Sequence, residues 1–117
     1  MNAIDFRSDT VTKPSTSMRA AMAQAEVGDD VVREDPTVNR LEEMAADMLG
    51  KQAAILATSG TQSNLLGLLS HCDRGDEYIV GQNAHTYRYE GGGAAVLGSI
   101  QPQPLEFEPD GSLNLDT

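Results

Sequence analysis

Apolar residues in the first half of the chain recur with a helical period. Met18, Ala21, Met22 and Ala25 fall at i, i+3, i+4 and i+7, which makes one apolar face, and Ser15 or Ser17 is placed to cap its start. Gly28 is expected to end this helix. Residues 28–35 are acidic and aperiodic, which predicts a loop, and Asp35-Pro36 then reads as an N-cap followed by proline at the first helical position. Val38, Leu41, Ala45, Met48 and Leu49 give the second helix its buried face. Gly50 stands where a left-handed closing residue is wanted.

The pattern changes after residue 50. Residues 53–58 are a short apolar run without polar alternation, which suits a strand covered on both faces, as in a parallel sheet. A helix also fits that run, and the punctuation Ser59-Gly60 decides for the strand, because residues 61–72 then carry a helical pattern with Leu65, Leu66, Leu68 and Leu69. Residues 73–76 form an exit turn and Tyr78-Ile79-Val80 is the next apolar triplet. Residues 53–80 therefore have the order of a βαβ unit, whose crossover is nearly always right-handed. Gly91-Gly92-Gly93 interrupts regular structure, and residues 94–100 predict a short helix leading to a strand. Pro102 and Pro104 confine the segment near Leu105 to an edge strand or an extended loop, and Asp110-Gly111 reads as a turn. No closing element comes after it, so the expectation is a truncated part of a larger α/β domain.

Composition removes several functions. The 117 residues, 39% hydrophobic and 22% charged, suit one globular core at most, and the net charge of −10 repels nucleic acids and anionic lipid. A mean hydropathy of −0.35 agrees with a soluble chain. The longest apolar-leaning stretch, residues 65–69, is far shorter than the roughly 20 residues a bilayer demands. Asp5, Arg7, Asp9 and Lys13 break up any signal peptide, and the single cysteine, Cys72, forms no internal disulfide. The reducing cytoplasm is therefore the expected compartment.

Three segments can carry chemistry. Thr58-Ser59-Gly60-Thr61-Gln62-Ser63 joins a predicted strand to a helix start, where free amides and the helix dipole favour an anion. Gly60 permits close backbone approach, and Thr61 and Ser63 add hydroxyl donors. The same residues also make an ordinary capped turn, and neither a P-loop nor a Rossmann fingerprint is present. His85 comes after the second predicted strand, at the sheet end where α/β proteins collect ligands; it can stack on a planar ring or move protons, or simply face solvent. Arg7-Ser8-Asp9 is an extended polar segment in which Arg7 and Asp9 suit a surface ion pair of little worth. The acidic residues Asp29, Asp30, Glu34 and Asp35 lack calcium-loop spacing. His71 and Cys72 fit packing and helix-dipole compensation better than metal ligation.

Taken in order, these segments resemble the start of the low-specificity L-threonine aldolases. The likeness runs through Asp5-Phe6-Arg7-Ser8-Asp9-Thr10-Val11-Thr12, Val27-Gly28-Asp29-Asp30-Val31 and Glu34-Asp35-Pro36-Thr37-Val38-Asn39. It continues through Ser59-Gly60-Thr61-Gln62-Ser63-Asn64-Leu65, Ser70-His71-Cys72-Asp73-Arg74-Gly75-Asp76-Glu77, the stretch from His85 to Gly93, and Gly98-Ser99-Ile100-Gln101-Pro102-Gln103-Pro104. The resemblance implies a fold-type-I enzyme dependent on pyridoxal 5'-phosphate, with residues 1–117 the N-terminal part of its aspartate aminotransferase-like large domain. Residues 1–50 would form the extended segment and helices, and residues 51–117 the first βαβ unit and the segment after it.

By the same resemblance Gly60 and Thr61 hold the cofactor phosphate, His85 stacks on the pyridine ring and assists proton movement, and Ser8 helps hold the substrate carboxylate. Tyr87 and Glu90 match positions near the site without an assigned role. The implied reaction is cleavage of L-threonine or L-allo-threonine to glycine and acetaldehyde by a homodimer or homotetramer. The family's cofactor-anchoring lysine has no match here, since Lys13 and Lys51 both precede the cofactor turn, so this segment alone is expected to be inactive. A related β-eliminating lyase, or a non-catalytic oligomerisation module if the gene ends at Thr117, are the alternatives. One departure stands out: Val31-Val32-Arg33 replaces the Val-Tyr-Gly of many relatives.

Overall fold

The computed structural model describes residues 4–114 and 116. Leu115 and Thr117, at the chain end where no closing element is predicted, lie outside them, as do residues 1–3. The chain divides into two compact units, Met1–Leu56 and Ala57–Thr117.

The first unit is helical. Helix α1, Thr16–Gln24, is capped by Ser15, whose hydroxyl accepts from the Met18 amide at 3.2 Å. It ends at Gln24, before Gly28. Gly28 serves the loop instead of the helix. A Cβ there would lie 2.1 Å from the Glu34 carbonyl oxygen, so the acidic loop closes only because no side chain intervenes. A 3-10 turn, Asp30–Val32, fills that loop, capped by Asp29. Helix α2, Pro36–Leu49, comes next with Asp35 as N-cap, Pro36 in the first turn and Gly50 at φ 61°, as the sequence predicts. The predicted buried face is not observed: Leu41, Met48 and Leu49 are exposed, and Ala46 is the one buried apolar residue of the helix.

Residues 53–58 are not a strand. A strand needs a neighbour for its amides and carbonyls, and a run this apolar also needs covered faces. Ile55 is instead 74% exposed, and the Leu56 amide donates to the Glu42 carboxylate at 2.8 Å.

The second unit contains the βαβ arrangement, one element later than expected. Helix α3, Gly60–His71, leads to strand β1, Glu77–Gly81; the short helices α4, His85–Arg88, and α5, Gly93–Gly98, then connect β1 to strand β2, Gln101–Leu105. The two strands pair in parallel, with Glu77 opposite Gln101 and Gly81 opposite Leu105. Successive residues of a parallel strand hydrogen-bond to opposite sides. Because the Gln101 amide reaches the Asp76 carbonyl at 2.8 Å, Pro102 and Pro104 fall on the far side, so β2 has an outer edge without their donors. The edge strand predicted from the prolines is thus observed. Val80, Ala94 and Ile100 form the core of this unit, with Ile100 fully buried. α3 packs against α4 and α5, α4 against β1, and α5 against β2. Phe107 and Leu113 bridge across the turn predicted at Asp110-Gly111.

Candidate active site

The start of α3 is partly satisfied by its own side chains. Ser59, the N-cap, accepts from the Gln62 amide at 3.1 Å, while the Gln62 side chain turns back and accepts from both the amide and the hydroxyl of Thr58, each at 2.8 Å. This reciprocal arrangement is close to a capping box and fixes the bend. The amides of Gly60 and Thr61 have no acceptor among the described residues. Two donors at the positive end of a 12-residue helix therefore remain available.

Gly60 itself is informative. A Cβ there would meet no atom within 4 Å and its φ is not left-handed, so neither packing nor backbone strain demands glycine. The backbone at this bend is therefore open to close approach, and free helix-start amides suit an anionic group such as a phosphate. The hydroxyls divide differently from expectation. Ser63 Oγ donates to the Gly60 carbonyl at 2.9 Å and so is spent within the helix, whereas the Thr61 hydroxyl has no partner among the described residues.

His85 opens α4 immediately beyond β1. Its side chain is 64% exposed, while that of Glu90, five residues on, is 5% exposed. The imidazole Nδ1 lies 2.8 Å from Glu90 Oε1, and the same oxygen accepts from Asn64 Nδ2 at 2.7 Å. Asn64 belongs to the second turn of α3. One carboxylate oxygen therefore ties the imidazole to the helix that begins at Gly60. Tyr89 packs against the imidazole with ring centroids 5.5 Å apart and planes tilted by 45°. Arg88 donates to Asn83 Oδ1 at 2.7 Å, closing the α4 turn. A nearby cleft at the strand ends is lined by Gln82, Tyr87, Arg88 and Pro104 and by none of the candidate residues.

Gly60, Thr61 and His85 are thus brought into one unit, and Ser8 belongs to the other. Ser8 caps a 3-10 turn, Asp9–Val11, accepting from the Thr10 amide and lying 2.9 Å from the Thr10 hydroxyl. Arg7 does not pair with Asp9. It makes a bidentate contact with Asp5, at 2.9 Å from Nε and 2.6 Å from Nη2, which holds the Asp5 carboxyl below the usual carboxylate range. Glu90, which the resemblance places near the site without a role, is the residue whose contacts the sequence does not show: it joins His85 to Asn64 of α3. Among the described residues no cluster of three histidine, cysteine or acidic groups could hold a metal ion, and no helix is long and apolar enough to cross a membrane.

Known proteins share this stretch of sequence nearly from end to end. Low-specificity L-threonine aldolase of Escherichia coli (strain K12) is 64% identical over 113 residues, covering 97% of this chain and 34% of that protein. Low-specificity L-threonine aldolase 1 of Arabidopsis thaliana is 49% identical over 117 residues, covering 99% of this chain and 33% of its own length. The Saccharomyces cerevisiae low specificity L-threonine aldolase is 38% identical over 104 residues, 88% of this chain and 27% of the relative. The chain therefore spans about a third of the length of the curated relatives it matches. A family model described as beta-eliminating lyase matches residues 5–117, and the chain belongs to that family.

Proposed function

We propose that this chain is the N-terminal third of a pyridoxal-phosphate-dependent lyase that cleaves L-threonine and L-allo-threonine to glycine and acetaldehyde. In this reading residues 1–117 begin an aspartate aminotransferase-like large domain, and the whole protein is a cytoplasmic homodimer or homotetramer. The observation that carries it is the tie between α3 and His85, which joins a helix start with two free amides to an exposed imidazole within one unit. The names of the relatives favour aldol cleavage over β-elimination.

The residues fit the cofactor they are asked to hold. Gly60 and Thr61 would take its phosphate on their amides, with the Thr61 hydroxyl as a third donor. His85 would lay its flat ring on the pyridine and, through Nε2, accept the proton that the substrate hydroxyl loses as the aldehyde forms. Ser8 would help hold the substrate carboxylate. When bound, pyridoxal phosphate supplies the electron sink for the broken carbon–carbon bond.

Assaying the complete protein for glycine release from L-threonine and L-allo-threonine tests the reading. Release of glycine with acetaldehyde is expected. Ammonia and a keto acid without glycine would replace it with β-elimination, and no turnover of either amino acid would overturn it.

A further inference from the structure

A carboxylate whose side chain is only 5% exposed has lost nearly all its water and persists only where donors replace it. Glu90 has two such donors, and both converge on Oε1: Asn64 Nδ2 at 2.7 Å and His85 Nδ1 at 2.8 Å. An ionised carboxylate only accepts hydrogen bonds, so a 2.8 Å contact with it requires the proton on Nδ1. A neutral imidazole protonated there has Nε2 as its bare nitrogen. α4 cannot set this orientation alone, because it is a four-residue helix whose N-cap, Ala84, offers no side-chain hydrogen bond. Asn64 braces the arrangement from α3, which is three turns long.

We propose that Glu90 is a positioning residue: its Oε1, anchored by Asn64, fixes His85 in the Nδ1–H tautomer and so presents Nε2 as the proton acceptor. This rests on the role given to His85 above. A carboxylate placed behind an imidazole does two things for proton transfer. It selects the tautomer, and it stabilises the imidazolium formed when Nε2 takes a proton.

The test is the 15N spectrum of histidine-labelled complete protein, recorded without cofactor, with the His85 signals assigned by their loss in His85→Phe. Wild type is expected to carry a protected Nδ1–H and a bare Nε2. In Glu90→Met, which keeps the length and suits a buried position, the Nδ1–H population is expected to fall and its protection to vanish. The kcat for glycine release should drop at least about tenfold, in keeping with the ~10²–10⁴ that a positioned proton-transfer group contributes. Asn64→Ala leaves the carboxylate but unties it, so faster exchange of the Nδ1 proton is expected there even if Glu90→Met does not fold. A wild-type spectrum with the proton on Nε2, or a tautomer unchanged in a folded Glu90→Met, overturns the proposal. A fixed tautomer in a protein that releases no glycine would leave Glu90's positioning intact and remove the aldolase reading instead.

Discussion

Gly28 and Asp35 close the acidic loop on itself: the Gly28 amide donates to Asp35 Oδ2 at 3.0 Å, while Oδ1 takes the amides of Thr37 and Val38. One carboxylate both starts α2 and fixes the chain that arrives seven residues earlier. The amides of Val38 and then Gly28 lower the Asp35 pKa, outweighing the opposing effect of burial.

A depressed folded-state pKa means that Asp35 adds stability that is fully present above the ordinary carboxylate range, near pH 4, and is lost as pH falls through the folded-state value. Asp35→Asn keeps an acceptor at the cap but removes the titration. Thermal midpoints measured from pH 7 down to pH 2 should show wild type more stable at neutral pH, with the gap between the two narrowing in acid. A constant gap would separate the cap from the pH response.

Arg33 occupies the position at which many relatives are expected to have glycine, and its φ of 61° is left-handed. Its guanidinium lies 3.5 Å from Glu42 and is largely exposed, so that ion pair offsets little of the backbone strain. Arg33→Gly should therefore match or exceed the stability of the parent, by up to about 1 kcal/mol. Arg33→Val should lower it, because a β-branched side chain tolerates this conformation worst. Urea denaturation midpoints of the three proteins check both directions.

Gly81 ends β1 directly beneath an aromatic ring. A Cβ at Gly81 would lie 1.9 Å from Phe107 Cζ. Gly81→Ala should cost about 1–3 kcal/mol, the usual penalty of overpacking. Combining it with Phe107→Leu should recover part of that loss. Equal, additive losses in the double-mutant cycle would show that the two residues do not collide.

His85→Phe in the complete protein should retain cofactor affinity, because a phenyl ring still stacks, and lose about 10²–10⁴ in kcat, because it carries no proton. Cofactor titration and steady-state glycine release measure the two separately. Unchanged turnover would take His85 out of proton transfer.

Local signals were legible in the sequence wherever one residue type does one local job. Ser15, Asp35 and Gly50 cap helices where their positions predict, and the prolines of β2 mark its edge. Gly28 misled because glycine has two uses. Its neighbourhood needs a close backbone approach rather than a helix stop, and only the folded loop distinguishes them. Residues 53–58 misled because apolar composition suits a strand, while forming one depends on partners that the run does not contain. The Asn64–Glu90–His85 tie spans 26 residues and depends on how α3 meets α4, which neither period nor spacing encodes. Similarly, Arg7 has acidic neighbours on both sides, and it pairs with Asp5 while Asp9 opens the Asp9–Val11 turn.

If the free amides at the start of α3 and the imidazole of His85 together hold one phosphate-bearing cofactor, a crystal structure of the complete protein with pyridoxal phosphate bound tests it most directly. The phosphate should sit within hydrogen-bond distance of the Gly60 and Thr61 amides, with the His85 ring stacked on the pyridine. A phosphate bound elsewhere, with those two amides open to solvent, would contradict that shared site.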